Sequence, residues 1–131
     1  MTQSDPQGIY KPNFAGLFKN EDDVVTLEAG KDLFGKGDAG DSMFVVLDGT
    51  LKVGDGNKIY EELSPGDLVG EMALIDHAPR AATVTATSDS KLARIDQKRF
   101  LFLTQQTPMF ALNVMRILSQ RLRRMDMMVG G

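Results

Sequence analysis

Cysteine is absent from these 131 residues, histidine occurs once, and basic residues number 15 against 18 acidic ones. Without cysteine there is no disulfide, no thiolate metal site and no thiol nucleophile, which suits a reducing compartment. The single histidine, His77, cannot furnish the two or three imidazoles of a histidine-rich metal site, and it reads as a solvated loop residue. The net charge of −3 lacks the basic balance with which nucleic-acid-binding domains neutralise phosphates. No run approaches the ~18 consecutive apolar residues of a membrane span. Met1 to Gly8 has neither the basic start nor the apolar stretch of a signal peptide, so a cytoplasmic location is expected.

What is present is one domain's worth of chain. Residues 1–13 are polar, with Pro6, Gly8 and Pro12, and read as a flexible tail ahead of a domain over 14–131. Phe14, Leu17 and Phe18 suit one helical turn capping a core. From Val24 to Ile95 short apolar or alternating runs are separated by glycine turns. The runs Val24–Leu27, Met43–Leu47, Thr50–Val53, Ile59–Leu63, Thr83–Thr87 and Lys91–Ile95 read as strands. Lys36–Asp41 reads as a loop, Asp48-Gly49 and Gly54–Asn57 as hairpin turns, and Ser64-Pro65-Gly66-Asp67 as a type II turn. About eight short strands at this spacing predict a sandwich, jelly roll or barrel, mainly β within an α+β class.

After Asp96 the period changes. Asp96 suits an N-cap for a helix from Gln97 to about Gln105, with Phe100, Leu101 and Leu103 as its apolar face. Thr107-Pro108 restarts a helix running to about Met128, with Pro108 at the first helical position, where no N–H is missed. Phe110, Val114, Ile117, Leu118, Leu122, Met125 and Val129 recur at steps of three and four, as one helical face does, opposite Arg116, Gln120, Arg123 and Arg124.

The chemistry concentrates between Val69 and Val84. Gly70 permits an unusual backbone angle. Glu71-Met72-Ala73-Leu74-Ile75 suits one helical turn, whose free N–H groups favour an anion at that end. Asp76-His77-Ala78-Pro79 ends the turn, and Arg80 follows nine residues after Glu71. Arginine matches two phosphate oxygens at once, and Ala81 and Ala82 leave their N–H groups accessible to a ligand. One cation, several amide donors and one acceptor suit a singly charged phosphate joined to a sugar hydroxyl, with ionised Glu71 accepting from the hydroxyl. The plainer alternative is an ion pair between Glu71 and Arg80 bracing a loop. That leaves the small residues after Arg80 and the glycine before Glu71 unexplained.

The string Gly70-Glu71 … Pro79-Arg80-Ala81-Ala82-Thr83 resembles the phosphate-binding cassette of cyclic-nucleotide-binding domains. These are the domains of kinase regulatory subunits, nucleotide-gated channels and catabolite-activator-type regulators. Glu28-Ala29-Gly30, Gly37–Asp41, Met43–Gly49, Pro65-Gly66-Asp67, Arg94-Ile95-Asp96 and the two terminal helices fall in the same order as in that family, so the likeness covers about residues 17–128. The resemblance implies an eight-stranded β-roll, about 24–95, with a short N-terminal helical turn and two C-terminal helices, about 97–128. It implies a cyclic nucleotide as ligand, no cofactor and no catalysis. Glu71 would bind the ribose 2′-hydroxyl and Arg80 the cyclic phosphate. The N–H groups of Gly70, Ala73, Ala81 and Ala82 would line the sugar-phosphate, with Val69 and Met72 beside them. The last helix would close over the base with Arg121, Arg123, Arg124 or Met125. Val69 stands where relatives often carry phenylalanine, a milder apolar choice. Ala81 stands where relatives preferring cGMP carry threonine, which favours cAMP.

Ligand is then expected to bias the terminal helix between positions. The apolar face from Val114 to Val129 suits pairing of two chains, and an effector of unassigned identity would read the change. The arginines at 116–124 read as a solvated face and the methionines of the last helix as packing. A helix-turn-helix would have to follow Gly131, so no DNA-binding output is expected within this chain. Two other classes compete. One is a metal-dependent cupin-like enzyme, which the lone histidine disfavours. The other is a degenerate β-roll mediating protein contacts, which the intact Glu71 and Arg80 disfavour.

Overall fold

The computed structural model describes residues 15–18 and 20–128, with side chains from residue 16 to 124. The tail at residues 1–13, Phe14, Val129 and the side chain of Met125 lie outside the described residues. The chain divides into two compact units, one holding the described residues up to Gln97 and the other those from Lys98 on.

The first unit contains α1 (Ala15–Phe18), β1 (Val24–Leu27), β2 (Asp32–Phe34), β3 (Ser42–Asp48), β4 (Leu51–Asp55), β5 (Lys58–Leu63), β6 (Leu68–Val69), α2 (Glu71–Asp76), β7 (Thr83–Ala86) and β8 (Ser90–Asp96). The eight strands form two antiparallel four-stranded sheets, in the orders β1-β8-β3-β6 and β2-β7-β4-β5. This is the expected β-roll architecture.

Residue chemistry explains the layering. The apolar run in β3 is buried continuously from Ser42 to Val46, as a central strand between two others requires. Thr83–Ala86 alternates, with Val84 and Ala86 inward and the threonines half-buried. Phe44, Val46 and Leu92 from one sheet meet Leu51, Leu63, Val84 and Ala86 from the other in a single core, joined by Val69. Each fully buried large apolar side chain contributes roughly 1.5–3 kcal/mol. The turn at Ser64–Asp67 closes as expected. The Asp67 N–H donates to Ser64 O at 3.0 Å, and the Ser64 N–H donates to the Asp67 carboxylate at 2.9 Å.

The structure departs from the sequence reading in three places here. Leu17 is exposed, and Phe18 carries the burial of the α1 patch. Gly54 and Asp55 belong to β4, so the hairpin turn shrinks to Gly56-Asn57. β2 and β6 stand where no strand was expected. They hold three and two residues, too few to show a period, and they exist by pairing with β7 and β3.

The second unit is built on α3 (Gln97–Gln106) and α4 (Pro108–Met128). Thr107 joins them, its N–H donating to Leu103 O at 2.8 Å and its carbonyl accepting from the Phe110 N–H at 2.9 Å. The rings of Phe100 and Phe110 pack with centroids 5.5 Å apart across this corner. Leu103, Phe110, Val114 and Ile117 are buried, but Leu101 and Leu122 are more than half exposed. The expected faces were too wide. Helical positions two residues apart differ by about 200°, which turns Leu101 away from Leu103, and Leu122 lies about 120° round from Phe110. No helix among the described residues is long and apolar enough to cross a membrane.

Candidate functional site

The candidate site is assembled by α2 and the return segment to Arg80. Gly70 precedes the helix with φ 82°, a left-handed conformation that side chains other than glycine rarely adopt. A Cβ there would also lie 2.6 Å from Arg80 Nη1. Glu71 then occupies the first turn, where the helix dipole favours a negative charge. Glu71, Ala73 and Leu74 are buried, while Met72 and Ile75 face solvent. The helix ends at His77, itself left-handed at φ 58°, with its N–H on Ala73 O at 2.9 Å. The Asp76 carboxylate accepts from the Ala78 N–H at 3.0 Å and turns the chain back.

The main chain of Arg80 is clamped to the loop after β2. Its N–H donates to Asp38 O at 2.8 Å, and its carbonyl accepts from the Gly37 N–H at 2.8 Å. That loop is closed by its own acid: Asp38 Oδ2 accepts from the Gly35 N–H at 2.9 Å.

The Arg80 side chain is only 6% exposed. Nη1 donates to Gly70 O at 3.0 Å and Nη2 to Ser42 O at 2.8 Å. The guanidinium carbon lies 4.1 Å from the centre of the Phe34 ring and 5.8 Å from that of Phe44. Gly40 covers another side, where a Cβ would come within 2.3 Å of Nε. Nε is buried and has no hydrogen-bond partner among the described residues. Burial holds the Arg80 pKa below the usual arginine value. The attraction of Asp41, then Glu71, opposes that shift, and nearby Arg94 adds to it. Arg94 is itself held by Asp23 at 3.0 Å and Asp41 at 3.5 Å.

The structure therefore brings Val69, Gly70, Glu71, Ala73 and Arg80 together. Val69 is buried at the end of β6, paired with Phe44. Ala82 is half-buried, and Ala81 and Met72 are exposed. Arg121, Arg123 and Arg124 lie on α4 in the other unit, Arg123 exposed and the other two half-buried. Four contributors had no individual assignment from the sequence: Phe34, Gly40, and the carbonyls of Asp38 and Ser42. Backbone carbonyls carry no side-chain signature, and Phe34 lies in the strand that was too short to read. Gly40 had a signal, the spacing Gly37-Asp38-Ala39-Gly40-Asp41. No group of three or more His, Asp and Glu side chains among the described residues is disposed to hold a metal ion.

The family model described as "Cyclic nucleotide-binding domain" matches residues 24–107, from β1 through α3. The chain belongs to the cyclic-nucleotide-binding domain family. Among its relatives is the cyclic AMP receptor protein of Thermus thermophilus, 30% identical over 128 residues, which cover 88% of this chain and 59% of the relative. The domain thus spans about three-fifths of that protein's length. The crystal structure of the Thermus thermophilus catabolite activator protein is similar in fold, with a TM-score of 0.74 at 28% identity, over 82% of this chain and 53% of that one. A structure from a study of a cyclic-GMP-dependent signalling pathway in bacterial phytopathogenesis has a TM-score of 0.67 at 31% identity, over 76% of this domain and 84% of that chain.

Proposed function

We propose that this cyclic-nucleotide-binding domain is a receptor for cAMP that performs no chemistry on it. In this reading Arg80 pairs with the cyclic phosphate and Glu71 accepts the ribose 2′-hydroxyl. The N–H groups of Gly70, Ala73, Ala81 and Ala82 line the sugar-phosphate, next to Val69 and Met72. The observation that carries the reading is the state of Arg80: a buried cation on the same short segment as buried Glu71, with Nε left without a partner among the described residues. An unmade bond on a buried charged group is costly, and an anion brought to it relieves that cost. A carboxylate that only accepts hydrogen bonds beside a guanidinium that only donates them matches a phosphate and a hydroxyl held on one ring.

Ligand then shifts the terminal helix α4 between positions, to the extent that it binds one arrangement more tightly than the other. Arg121, Arg123, Arg124 and Met125 are the α4 residues offered to the base. Two chains pair through α4; Val114 and Ile117 of the expected pairing face are buried, and the reading is supported instead by the apolar surface that Leu112, Met115 and Leu122 expose along it. The selectivity for cAMP rests on Ala81, which has no hydroxyl to offer guanine. The likeness to the structure from the cyclic-GMP pathway favours cGMP as the second reading. Calorimetric titration of the protein with each nucleotide separates them. Tighter binding of cAMP is expected; tighter cGMP reverses the selectivity, and binding of neither removes the function.

A further inference from the structure

We infer that Phe34 is a positioning residue for Arg80, an aromatic platform that holds the guanidinium where it meets an anion. This rests on Arg80 being the phosphate partner. The inference starts from how the charge is held. A guanidinium has two faces without hydrogens and an edge carrying all its N–H donors. The guanidinium carbon lies over the Phe34 ring, 4.1 Å from its centre. A ring on the face satisfies the cation through its quadrupole and uses up no donor, so the edge stays available to oxygen. The edge is now shared between Gly70 O and Ser42 O, two acceptors that fix the direction of the guanidinium within its plane. The ring under the guanidinium carbon is the contact that holds the group where those two bonds direct it.

The local fold is shaped to deliver that ring. The pairing of β2 with β7 places Asp32 opposite Thr85 but Phe34 opposite Val84, a register shift between the two residues. A bulge of this kind re-aims a side chain. The ring is backed by Phe44, with centroids 6.2 Å apart and the planes tilted by 39°. It also lies close to Gly70, where a Cβ would come within 3.4 Å of the ring. One aromatic side chain therefore touches both the glycine that opens α2 and the cation that follows it. A leucine at this position would fill similar space and keep the core dry, but it has no quadrupole and no flat face.

The test is calorimetry with cAMP on wild type, Phe34→Leu, Arg80→Lys and the double variant. Phe34→Trp serves as the rescue, and each protein is checked for folding by its thermal transition. Phe34→Leu is expected to weaken binding by about 5- to 30-fold, while Phe34→Trp recovers most of the affinity. Lysine keeps the charge without the planar fork, so Phe34→Leu is expected to cost less than about threefold in the Arg80→Lys background. A merely structural Phe34 would cost the same in both backgrounds, and that result overturns the inference. So does wild-type affinity in Phe34→Leu. If the wild-type protein binds no cyclic nucleotide, the proposed function fails and this inference with it; if it binds and the Phe34 variants do not differ, only the inference fails.

Discussion

Arg80 is held by groups that leave it little freedom: a ring, two carbonyls and the bare Cα of Gly40. Gly40 lacks the positive φ that would otherwise explain a glycine, so its role is to make room. Gly40→Ala is expected to push Arg80 out of place and lower the unfolding free energy by about 1–3 kcal/mol. Gly16→Ala, where nothing lies within 4 Å, should change it by less than about 0.5 kcal/mol. Urea denaturation of the two variants checks the contrast, and equal effects would mean that Gly40 does not shape the site. At this scale the sequence exposed the charged pair and hid its supports. Glu71 and Arg80 stand out because a carboxylate and a guanidinium among small residues need a reason. The carbonyl of Ser42 could belong to any residue, and the face of Phe34 looks like core.

At the scale of elements, the segments that were legible are those with enough residues to show a period. β3, β7, β8 and the two helices declare themselves through continuous burial, alternation, or steps of three and four. β2 and β6 do not, and β2 supplies the ring under Arg80 while β6 leads directly into Gly70. Both are specified by the strands they pair with, which is tertiary information. The helix faces were read too broadly for a related reason. Steps of three and four, followed far enough, walk around a helix with 3.6 residues per turn. The difference is measurable. Leu92, fully buried in β8, should cost about 2–5 kcal/mol on Leu92→Ala. Leu101→Gln on α3 should stay within about 0.5 kcal/mol of wild type, because Leu101 is more than half exposed. Denaturant titration reads both, and a large loss in Leu101→Gln would mean that this face of α3 is covered in solution.

For the molecule as a whole, the two sheets form a scaffold that brings distant parts of the chain to one point. Phe34, Ser42, Gly70 and Arg80 come from four segments, and the backbone pairing of Arg80 with Gly37 and Asp38 ties the cassette to the loop between β2 and β3. A sandwich, jelly roll or barrel was legible from glycine-turned strands and the β-roll from the family resemblance of the cassette, and the match over residues 24–107 agrees with it. The pairing order of the sheets was not, since strand order depends on contacts far apart in sequence. The proposed role of this scaffold is to present Arg80 to a cyclic phosphate. Calorimetry of cAMP binding to wild type and Arg80→Ala, each shown to be folded, tests it most directly. Wild type is expected to bind, and Arg80→Ala to lose at least ~2 kcal/mol, about 30-fold or more in affinity. Equal binding by the two proteins would contradict it.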